Sequence, residues 1–392
     1  MADTQRQTGQ GPGAGLMTGN VSPGFESVRS LFQRYLESDP FYSAQLSVYH
    51  RGEQVVDLCG GPHLALDSVT GLFSASKGLA GIAFATLIEE GLIELDRPVA
   101  HYWPEFGVKG KGRIEVRQLL SHSAGLLGVD GGFLDQEVLE SSPAAARIAA
   151  EHPIWRPGTA LGYHGLTIGL FLEELTRRVT GGSLQELYES RIRAPRGIDA
   201  YLGLPESEEK RFVMVGPLRV VGGPAAGPAP SPDGLAGFAF NNVNNPVPLE
   251  QIYLSPNTRA VRAAGPASLG GVGSARGVAR AYATLLGHVG DPVLSGETIA
   301  AISQQQAWGR DRVLDRIASY AIVFGTPHPE FEFASYRGFG HSGASGSLGL
   351  ADPLYDMALG YVPNPMQNHD GPADKAVQLS LAARQAIAHR RA

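Results

Sequence analysis

Ser74 and Lys77 are the residues whose types and spacing point most directly to catalysis. They belong to the segment Ser74-Ala75-Ser76-Lys77, and residues three positions apart lie on the same face of a helix. A serine hydroxyl is a weak nucleophile until a neighbouring base takes its proton. Burial lowers the pKa of a lysine enough for it to act as that base. The pair therefore predicts a nucleophile, Ser74, that is activated by Lys77.

This spacing alone is weak evidence for catalysis, because two of the five lysines lie three positions after a serine. The second copy, Ser207 and Lys210, encloses two glutamates and follows Pro205. Those carboxylates would keep the lysine protonated, so we expect an exposed, charged segment there. Ser74 instead precedes apolar residues at helical spacing, namely Leu79, Ile82, Ala83, Leu87 and Ile88. A helix that buries Lys77 favours the first copy.

Tyr163 is a candidate acid/base in a loop that precedes an apolar helical run at residues 166–175. A tyrosine in the segment Tyr163-His164-Gly165 can transfer protons if neighbouring cations lower its pKa. The alternative is a half-buried ring with a hydrogen-bonded hydroxyl. A third segment, Gly-His-Ser-Gly-Ala at residues 340–344, lies between strand-like runs. Its small residues would let a substrate carbonyl approach backbone N–H donors, or they form a tight turn between strands.

Together the three segments resemble the serine β-lactamase and penicillin-binding protein superfamily, in particular its class C-like branch and the family VIII carboxylesterases. That superfamily has a Ser-x-x-Lys box, a Tyr-x-Asn-like box and a Lys-Thr-Gly-like box in this order. Here they are Ser74 to Lys77, Tyr163 to Gly165 and His341 to Gly343. Residues 118–126 resemble a further stretch of this branch, Leu-Leu-Thr-His-Thr-Ser-Gly, which is largely structural. The resemblance covers the chain from about Gly24 to its end.

The resemblance implies acyl transfer in two steps, with Ser74 attacking the acyl carbon and Lys77 and Tyr163 handling the proton. It implies an oxyanion hole made by the backbone N–H groups of Ser74 and Ala344. Tyr163 would protonate the leaving group and later help to activate water. The remaining residues of the second and third boxes are expected to line the substrate site: His164, Gly165, His341, Ser342 and Gly343.

Two departures from the β-lactamase pattern favour an ester over a lactam substrate. Gly165 stands where β-lactamases carry an asparagine that contacts the substrate amide and the lysine. His341 stands where they carry a lysine, so the fixed positive charge that would pair with a lactam carboxylate is lost at pH 7. Both departures occur in the esterase branch, whose substrates are neutral esters of small or medium acyl groups. The sequence therefore predicts a serine esterase.

Three other functions stay open at this point. An amidase, D-peptidase or weak β-lactamase would use the same site and the same acyl-enzyme chemistry. An α/β-hydrolase would place its nucleophile in Gly-x-Ser-x-Gly, and the nearest match, around Ser342, fails at Ala344. A non-catalytic penicillin-binding-like sensor on this fold would usually have lost one of Ser74, Lys77 and Tyr163.

Element spacing predicts an α+β fold, in which an antiparallel sheet is flanked by N- and C-terminal helices and joined to a second, mostly helical lobe. We expect a disordered leader at 1–20, a sheet domain at 21–105 plus 265–392, and at 106–264 a helical lobe with long loops that cover the site. The individual elements expected are a helix near 25–35, a hairpin of 44–49 with 54–58, strands at 320–324, 331–339, 347–351 and 357–362, and a helix at 373–389.

Composition limits the partners to small molecules. The 392 residues carry a formal net charge of −6 without a basic block, so no nucleic acid is expected. The apolar runs are too short to span a bilayer, so no membrane partner is expected. The single cysteine, Cys59, permits no intrachain disulfide, and we expect a cytoplasmic protein. No cofactor or metal is expected, because the eleven histidines form no His-x-x-x-His pair. A homo-oligomer stays open.

Overall fold

The N-terminal hairpin and the C-terminal strands form one antiparallel sheet. A computed structural model describes residues 17–218, 230–244, 254–287, 289–367 and 374–390. The sheet has six strands in the order β1-β3-β2-β12-β11-β10, beside a small sheet β5-β7-β4-β6 and a hairpin β8-β9. The strands of the described residues are β1 Thr18–Val21, β2 Ser43–His50, β3 Glu53–Gly60, β4 Val69–Gly71, β5 Ala200–Tyr201, β6 Phe212–Val213, β7 Val272–Gly273, β8 Ala307–Arg310, β9 Ile317–Tyr320, β10 Phe339–Ser342, β11 Leu348–Asp352 and β12 Met357–Asn364.

Helices cover both faces of this sheet and build the rest of the molecule, which confirms the predicted α+β architecture. None of the described helices is both long and apolar enough to cross a membrane. The helices of the described residues are α1 Glu26–Ser38, α2 Ser76–Glu89, α3 Val99–Tyr102, α4 Val116–Leu120, α5 Asp135–Glu140, α6 Ser142–Ala149, α7 Thr167–Thr180, α8 Leu184–Tyr188, α9 Ala194–Arg196, α10 Leu235–Ala239, α11 Arg259–Ala264, α12 Ala275–Ala283, α13 Gly296–Ser303 and α14 Lys375–His389.

Strand β12 shows how the two faces of the sheet are used. Leu359 and Tyr361 pack into a core with α1 and α14, whereas Ala358 and Val362 join the larger core on the opposite face. Successive side chains of a strand point to opposite faces, so a strand buried on both sides is a continuous apolar run. On the second face α12 approaches so closely that a Cβ at Gly360 would lie 2.2 Å from the Ala275 carbonyl oxygen.

Helix α2 is the central element of the molecule. Its residues from Ser76 to Leu87 are all buried, because α7 and α8 contact it on one side and α12, α13 and β10 on others. A helix that is apolar all round belongs inside a protein. The helix that was expected to bury Lys77 is therefore confirmed, and it carries Lys77 into the interior.

Some predicted strand boundaries are wrong. The strand expected at 320–324 ends at Tyr320, because the chain turns there and the Ala321 N–H donates to the Phe324 carbonyl at 2.8 Å. The strand expected at 331–339 is a strand only from Phe339 onward. The buried Asp352 carboxylate binds the backbone N–H and hydroxyl of Ser335 at 2.7 and 2.6 Å and draws the preceding chain out of the sheet.

The structure describes only part of the segments expected to be a leader and a covering loop. Strand β1 pairs with β3 from Thr18 onward, so the end of the expected leader belongs to the sheet, and residues 1–16 lie outside the described residues. In the last part of the lobe expected at 106–264, from residue 205 onward, the described parts contain β6, α10 and α11. Residues 219–229 and 245–253 lie outside the described residues. The division into a sheet domain and a helical lobe stays a prediction.

Candidate active site

The turn that carries Ser74 joins β4 to α2. Residues Phe73–Ala75 form a short 3-10 helix that runs into α2, so Ser74 lies at the start of the helical segment. Phe73 has a φ of 48°, a left-handed conformation that costs a bulky residue about 1–3 kcal/mol. The Phe73 ring packs against Val215 and Met366, and this packing offsets the cost. The strained turn directs Ser74 into a cavity that it lines.

Lys77 lies beside the nucleophile and is completely buried. Its Nζ is 3.1 Å from Ser74 Oγ and donates a hydrogen bond to the Ser268 carbonyl at 2.6 Å. Burial holds the pKa of Lys77 well below its usual range, because a low-dielectric interior disfavours the charged form. A neutral amine has a lone pair, and the position of Nζ allows that lone pair to accept the Ser74 proton.

Hydrogen bonds to α7 hold the carbonyl that binds Lys77. The Ser268 hydroxyl accepts a hydrogen bond from the Gly169 N–H at 3.0 Å and donates a short one to the Leu166 carbonyl. The preceding residue, Ala267, donates its N–H to the buried carboxylate of Glu173 at 3.0 Å. These contacts fix the direction of the amine, since a side chain as long as lysine keeps one geometry only when its partners are rigid.

Tyr163 is the third member of the cluster. Its hydroxyl interacts with Ser74, and this interaction favours the charged form of the phenol; the Lys77 Nζ lies 5.0 Å from the centre of its ring. Burial raises the pKa of Tyr163, and the opposing effect of the Arg316 charge is smaller. A neighbouring cation therefore acts in the direction considered from the sequence, but burial outweighs it, and the condition for Tyr163 to act as a base at rest is not met. Tyr163 rests as a neutral phenol, which suits a proton donor rather than a base.

A buried aspartate positions the loop of Tyr163. Asp311 has no exposed surface, and its Oδ1 accepts the Tyr163 N–H at 3.1 Å. Its Oδ2 accepts the hydroxyl of Tyr320 at 2.7 Å, and the Tyr320 ring lies nearly parallel to that of Tyr163 with 6.3 Å between centres. The loop has no secondary structure of its own, so Asp311 supplies the anchor that a strand or helix would otherwise give.

Two buried histidines support the loop that carries Tyr163. The His164 N–H donates to His122 Nδ1 at 3.0 Å, and His164 Nε2 accepts the Leu126 N–H at 3.3 Å. Both rings must be neutral to accept these bonds. Burial lowers the pKa of His164 to about 3 and that of His122 well below its usual value. His164 has no exposed surface and is not among the residues that line the cavity. The sequence predicted that it contacts the substrate; in the structure it supports the loop of Tyr163 instead.

We expect these histidines to make stability depend on pH. Both pKa values are depressed in the folded protein, so the stabilisation is complete above the unfolded value of about 6.5 and is lost as the pH falls toward the folded value. Below pH 6.5 each histidine should lower the free energy of unfolding by about 1.4 kcal/mol for each unit by which the pH falls. Urea unfolding between pH 7 and 5 measures this slope. His164→Gln should reduce it, whereas the same change at exposed His101 is the control. An unchanged slope in His164→Gln would contradict the assignment.

The third box begins on strand β10 and continues as a tight turn toward β11. The Gly343 N–H donates to the Ser347 carbonyl at 2.8 Å, and the Ser347 hydroxyl donates to the Leu72 carbonyl at 2.9 Å. A Cβ at Gly343 would lie 2.1 Å from the Leu72 oxygen, so only glycine allows the turn to press against the nucleophile segment. This contact brings Ala344 to the wall of the cavity that Ser74 lines.

His341 presents its ring to the same cavity. Its Nδ1 lies 2.7 Å from the Ser342 carbonyl oxygen, which can only accept, so Nδ1 carries the proton. When the ring is neutral, the Nε2 atom therefore holds the lone pair and can accept a hydrogen bond. The ring centre lies 6.2 Å from that of Tyr163.

The cavity has a volume of about 320 Å³. Of the residues named from the sequence it is lined by Ser74, Tyr163, His341, Ser342 and Ala344, and not by Gly165 or Gly343. The other lining residues are mostly apolar and include Phe240, Leu314, Ile317, Phe331 and Phe333.

Comparison with known proteins identifies the family. A model of the beta-lactamase family matches residues 28–383. The chain belongs to the beta-lactamase family. It is similar to esterase/beta-lactamase LipL of Mycobacterium tuberculosis, with 29% identity over 382 residues that cover 90% of this chain and 84% of LipL.

Solved structures of this family give the same assignment. EstA from Arthrobacter nitroguajacolicus Rue61a is 48% identical, with a TM-score of 0.90 over 95% of this chain and 99% of EstA. A family VIII carboxylesterase is 31% identical, with a TM-score of 0.82 over 95% of this chain and 100% of that one. The protein is therefore a hydrolase of the esterase and beta-lactamase type with the beta-lactamase fold.

Both rival nucleophiles have unsuitable surroundings in this fold. Ser207 and Lys210 are exposed on a short helix, Glu206–Arg211, as expected for a charged surface segment. Ser342 ends a strand of an antiparallel sheet, whereas the nucleophile of an α/β-hydrolase lies on a strand-to-helix turn.

Several residues that shape this beta-lactamase-family site were missed in the sequence. The Ser268 carbonyl is a backbone group and has no sequence signal. Asp311 and Tyr320 act through contacts with residues far away in the chain, and Phe240 lies in a region without clear periodicity. His122 belongs to the stretch that resembled the family, and that resemblance was the signal that could have located it.

Proposed function

We propose that the protein is a serine esterase that hydrolyses small to medium carboxylic esters through an acyl-enzyme intermediate on Ser74. The observation that carries this proposal is the buried Lys77 amine, 3.1 Å from Ser74 Oγ and with a depressed pKa. Two of the similar proteins are named as an esterase and a carboxylesterase. The cavity volume of about 320 Å³ suits a small or medium ester.

In the acylation step the neutral Lys77 amine accepts the Ser74 proton while Oγ bonds to the ester carbonyl carbon. The carbonyl electrons move onto oxygen, and the backbone N–H groups of Ser74 and Ala344 stabilise the oxyanion. When the tetrahedral intermediate collapses, the Tyr163 phenol gives its proton to the departing alkoxide and regains one from the Lys77 ammonium. The alcohol therefore leaves with the proton that began on Tyr163, and the proton that began on the serine ends on Tyr163.

In the deacylation step a water molecule takes the place of the alcohol and the same groups run in reverse. Tyr163 passes its proton to the Lys77 amine and takes one from the water as the water attacks the acyl carbon, and the Lys77 ammonium reprotonates Ser74 Oγ as it leaves. Because burial keeps Lys77 neutral and Tyr163 protonated, both groups return to their resting forms without a net proton change.

The proposed preference for esters rests on two residues. His341 carries no permanent charge where a fixed cation would be needed to hold a lactam carboxylate, and its Nδ1 is engaged with the Ser342 carbonyl oxygen. Gly165 supplies no side-chain amide to hold the amide of a lactam acyl group. Weak β-lactam hydrolysis is the second candidate, because LipL is named as both an esterase and a beta-lactamase.

A comparison of substrates tests this proposal. We expect kcat/KM for p-nitrophenyl butyrate to exceed that for nitrocefin by at least about 100-fold, since the groups that recognise a lactam are missing. Initial rates of the wild-type protein on both substrates, and on p-nitroanilides of the same acids, give the ratios. Faster cleavage of nitrocefin or of anilides than of esters would contradict the esterase assignment in favour of a β-lactamase or an amidase.

A further inference from the structure

The space beside Gly165 is filled by an aromatic ring from a distant part of the chain. A Cβ at position 165 would lie 2.7 Å from Cε1 and 2.9 Å from Cδ1 of Phe240, and 3.2 Å from the Ala239 carbonyl oxygen. The φ of Gly165 is outside the left-handed region, so the backbone conformation does not require glycine here. Position 165 lacks a side chain because the Phe240 ring needs the room.

Phe240 also forms part of the catalytic cavity. It lines the space shared by Ser74 and Tyr163, and its ring centre lies 6.2 Å from that of Tyr163. The backbone that carries the ring is held by its neighbours: the Phe240 N–H donates to the Ala236 carbonyl at 3.0 Å. The next residue, Asn241, is buried and forms hydrogen bonds of 2.8 and 2.9 Å with the backbone of Phe133. Phe240 is therefore a fixed wall.

We propose that Phe240 forms the wall of an apolar subsite that binds the hydrocarbon chain of the ester and so determines which chain lengths are accepted. The lining also contains the apolar side chains of Leu314, Ile317, Phe331 and Phe333, beside the polar ones of Arg316, Ser319, Thr326 and His328. A hydrocarbon chain gains free energy on burial against the apolar side chains. This inference rests on the proposed esterase function and adds its specificity.

Chain-length series test this subsite. The acyl series is p-nitrophenyl acetate, butyrate, hexanoate and octanoate, and the alcohol series is the methyl, butyl and hexyl butyrates. Each methylene that contacts the ring should raise kcat/KM by up to about fourfold in the wild type. In Phe240→Ala the butyrate-to-acetate or the butyl-to-methyl ratio should fall at least about fivefold, according to whether the acyl or the alcohol chain occupies the subsite.

Phe238→Ala is the matched control, because Phe238 lies in the same segment and is half-buried without lining the cavity. Its chain-length ratios should stay within about twofold of the wild type. Ratios unchanged in both series for Phe240→Ala, or changed equally in Phe238→Ala, would overturn the subsite. A wild-type protein that cleaves no ester would instead contradict the proposed function, so the two failures are distinguishable.

A double-mutant cycle tests whether the Phe240 ring is the reason that position 165 is glycine. Gly165→Ala should lower Tm in the wild-type background, because its Cβ would overlap Phe240. In the Phe240→Ala background the same substitution should lower Tm by less than half as much. An equal loss in both backgrounds would mean that the Ala239 carbonyl excludes the side chain, and would overturn this part of the inference.

Discussion

Replacement of Ser74 by alanine should reduce the kcat for p-nitrophenyl butyrate by at least about 10³-fold, because the members of one catalytic unit fail together. The variant keeps the buried Lys77 and the cavity but has no atom to carry the acyl group. Its fold should be retained, since Ser74 is half-buried and alanine is smaller. Initial rates, together with labelling by a fluorophosphonate probe, measure the loss: the probe should label the wild type and not Ser74→Ala.

Two other serines provide matched controls for this substitution. Ser207→Ala changes the exposed copy of the same spacing, and its activity and labelling should equal those of the wild type. Ser342→Ala changes a residue of the cavity wall, so a moderate decrease in rate is expected with labelling retained. Complete loss of activity and labelling at Ser342 with normal behaviour of Ser74→Ala would contradict the assigned nucleophile. Absence of labelling in the folded wild type would favour a non-catalytic protein.

The features that could be predicted from the sequence are those that depend on neighbours in the chain. The apolar residues after Ser74 predicted a helix that buries Lys77, and the two runs around Gly52 predicted the β2-β3 hairpin. Helical and strand periodicity act over a few residues and can be recognised without the rest of the fold. The layout of the elements then predicted one antiparallel sheet flanked by helices, but periodicity does not give the order of the strands in it.

Features set by distant contacts could not be predicted in this way. Phe331 and Phe333 have strand-like spacing, yet the Asp352 carboxylate binds Ser335 and takes that stretch out of the sheet. The Ser268 carbonyl reaches Lys77 across 191 positions of the chain. A backbone carbonyl looks the same in every residue, so only the folded structure reveals this partner.

The pKa of Tyr163 shows how burial decided a question that the sequence left open. A nearby cation, Arg316, does lower this pKa, but the loss of hydration raises it more. The same desolvation lowers the pKa of Lys77. Burial therefore drives both groups to their neutral forms, which makes the amine an acceptor and the phenol a donor before substrate arrives.

This division of roles leads to an expectation for Tyr163→Phe that depends on the leaving group. With alkyl butyrates kcat/KM should fall at least about 10³-fold, because an alkoxide must be protonated as it departs. With p-nitrophenyl butyrate the decrease in kcat/KM should be at least about tenfold smaller than with alkyl butyrates, since p-nitrophenolate leaves without a proton. The kcat should fall about 10³-fold or more with both substrates, because deacylation also uses the phenol. Steady-state rates on both esters, with the nitrophenolate burst, separate the two steps.

Tyr320→Phe is the matched control for this variant, because its ring lies beside that of Tyr163 and its hydroxyl binds Asp311 rather than Ser74. Removal of that hydroxyl leaves one oxygen of Asp311 without a partner but leaves the Tyr163 N–H bound to the other. A decrease of no more than about tenfold, equal for both leaving groups, is therefore expected. If the two tyrosine variants lost activity equally, or if the loss in Tyr163→Phe did not depend on the leaving group, the phenol would position the substrate and not donate the proton.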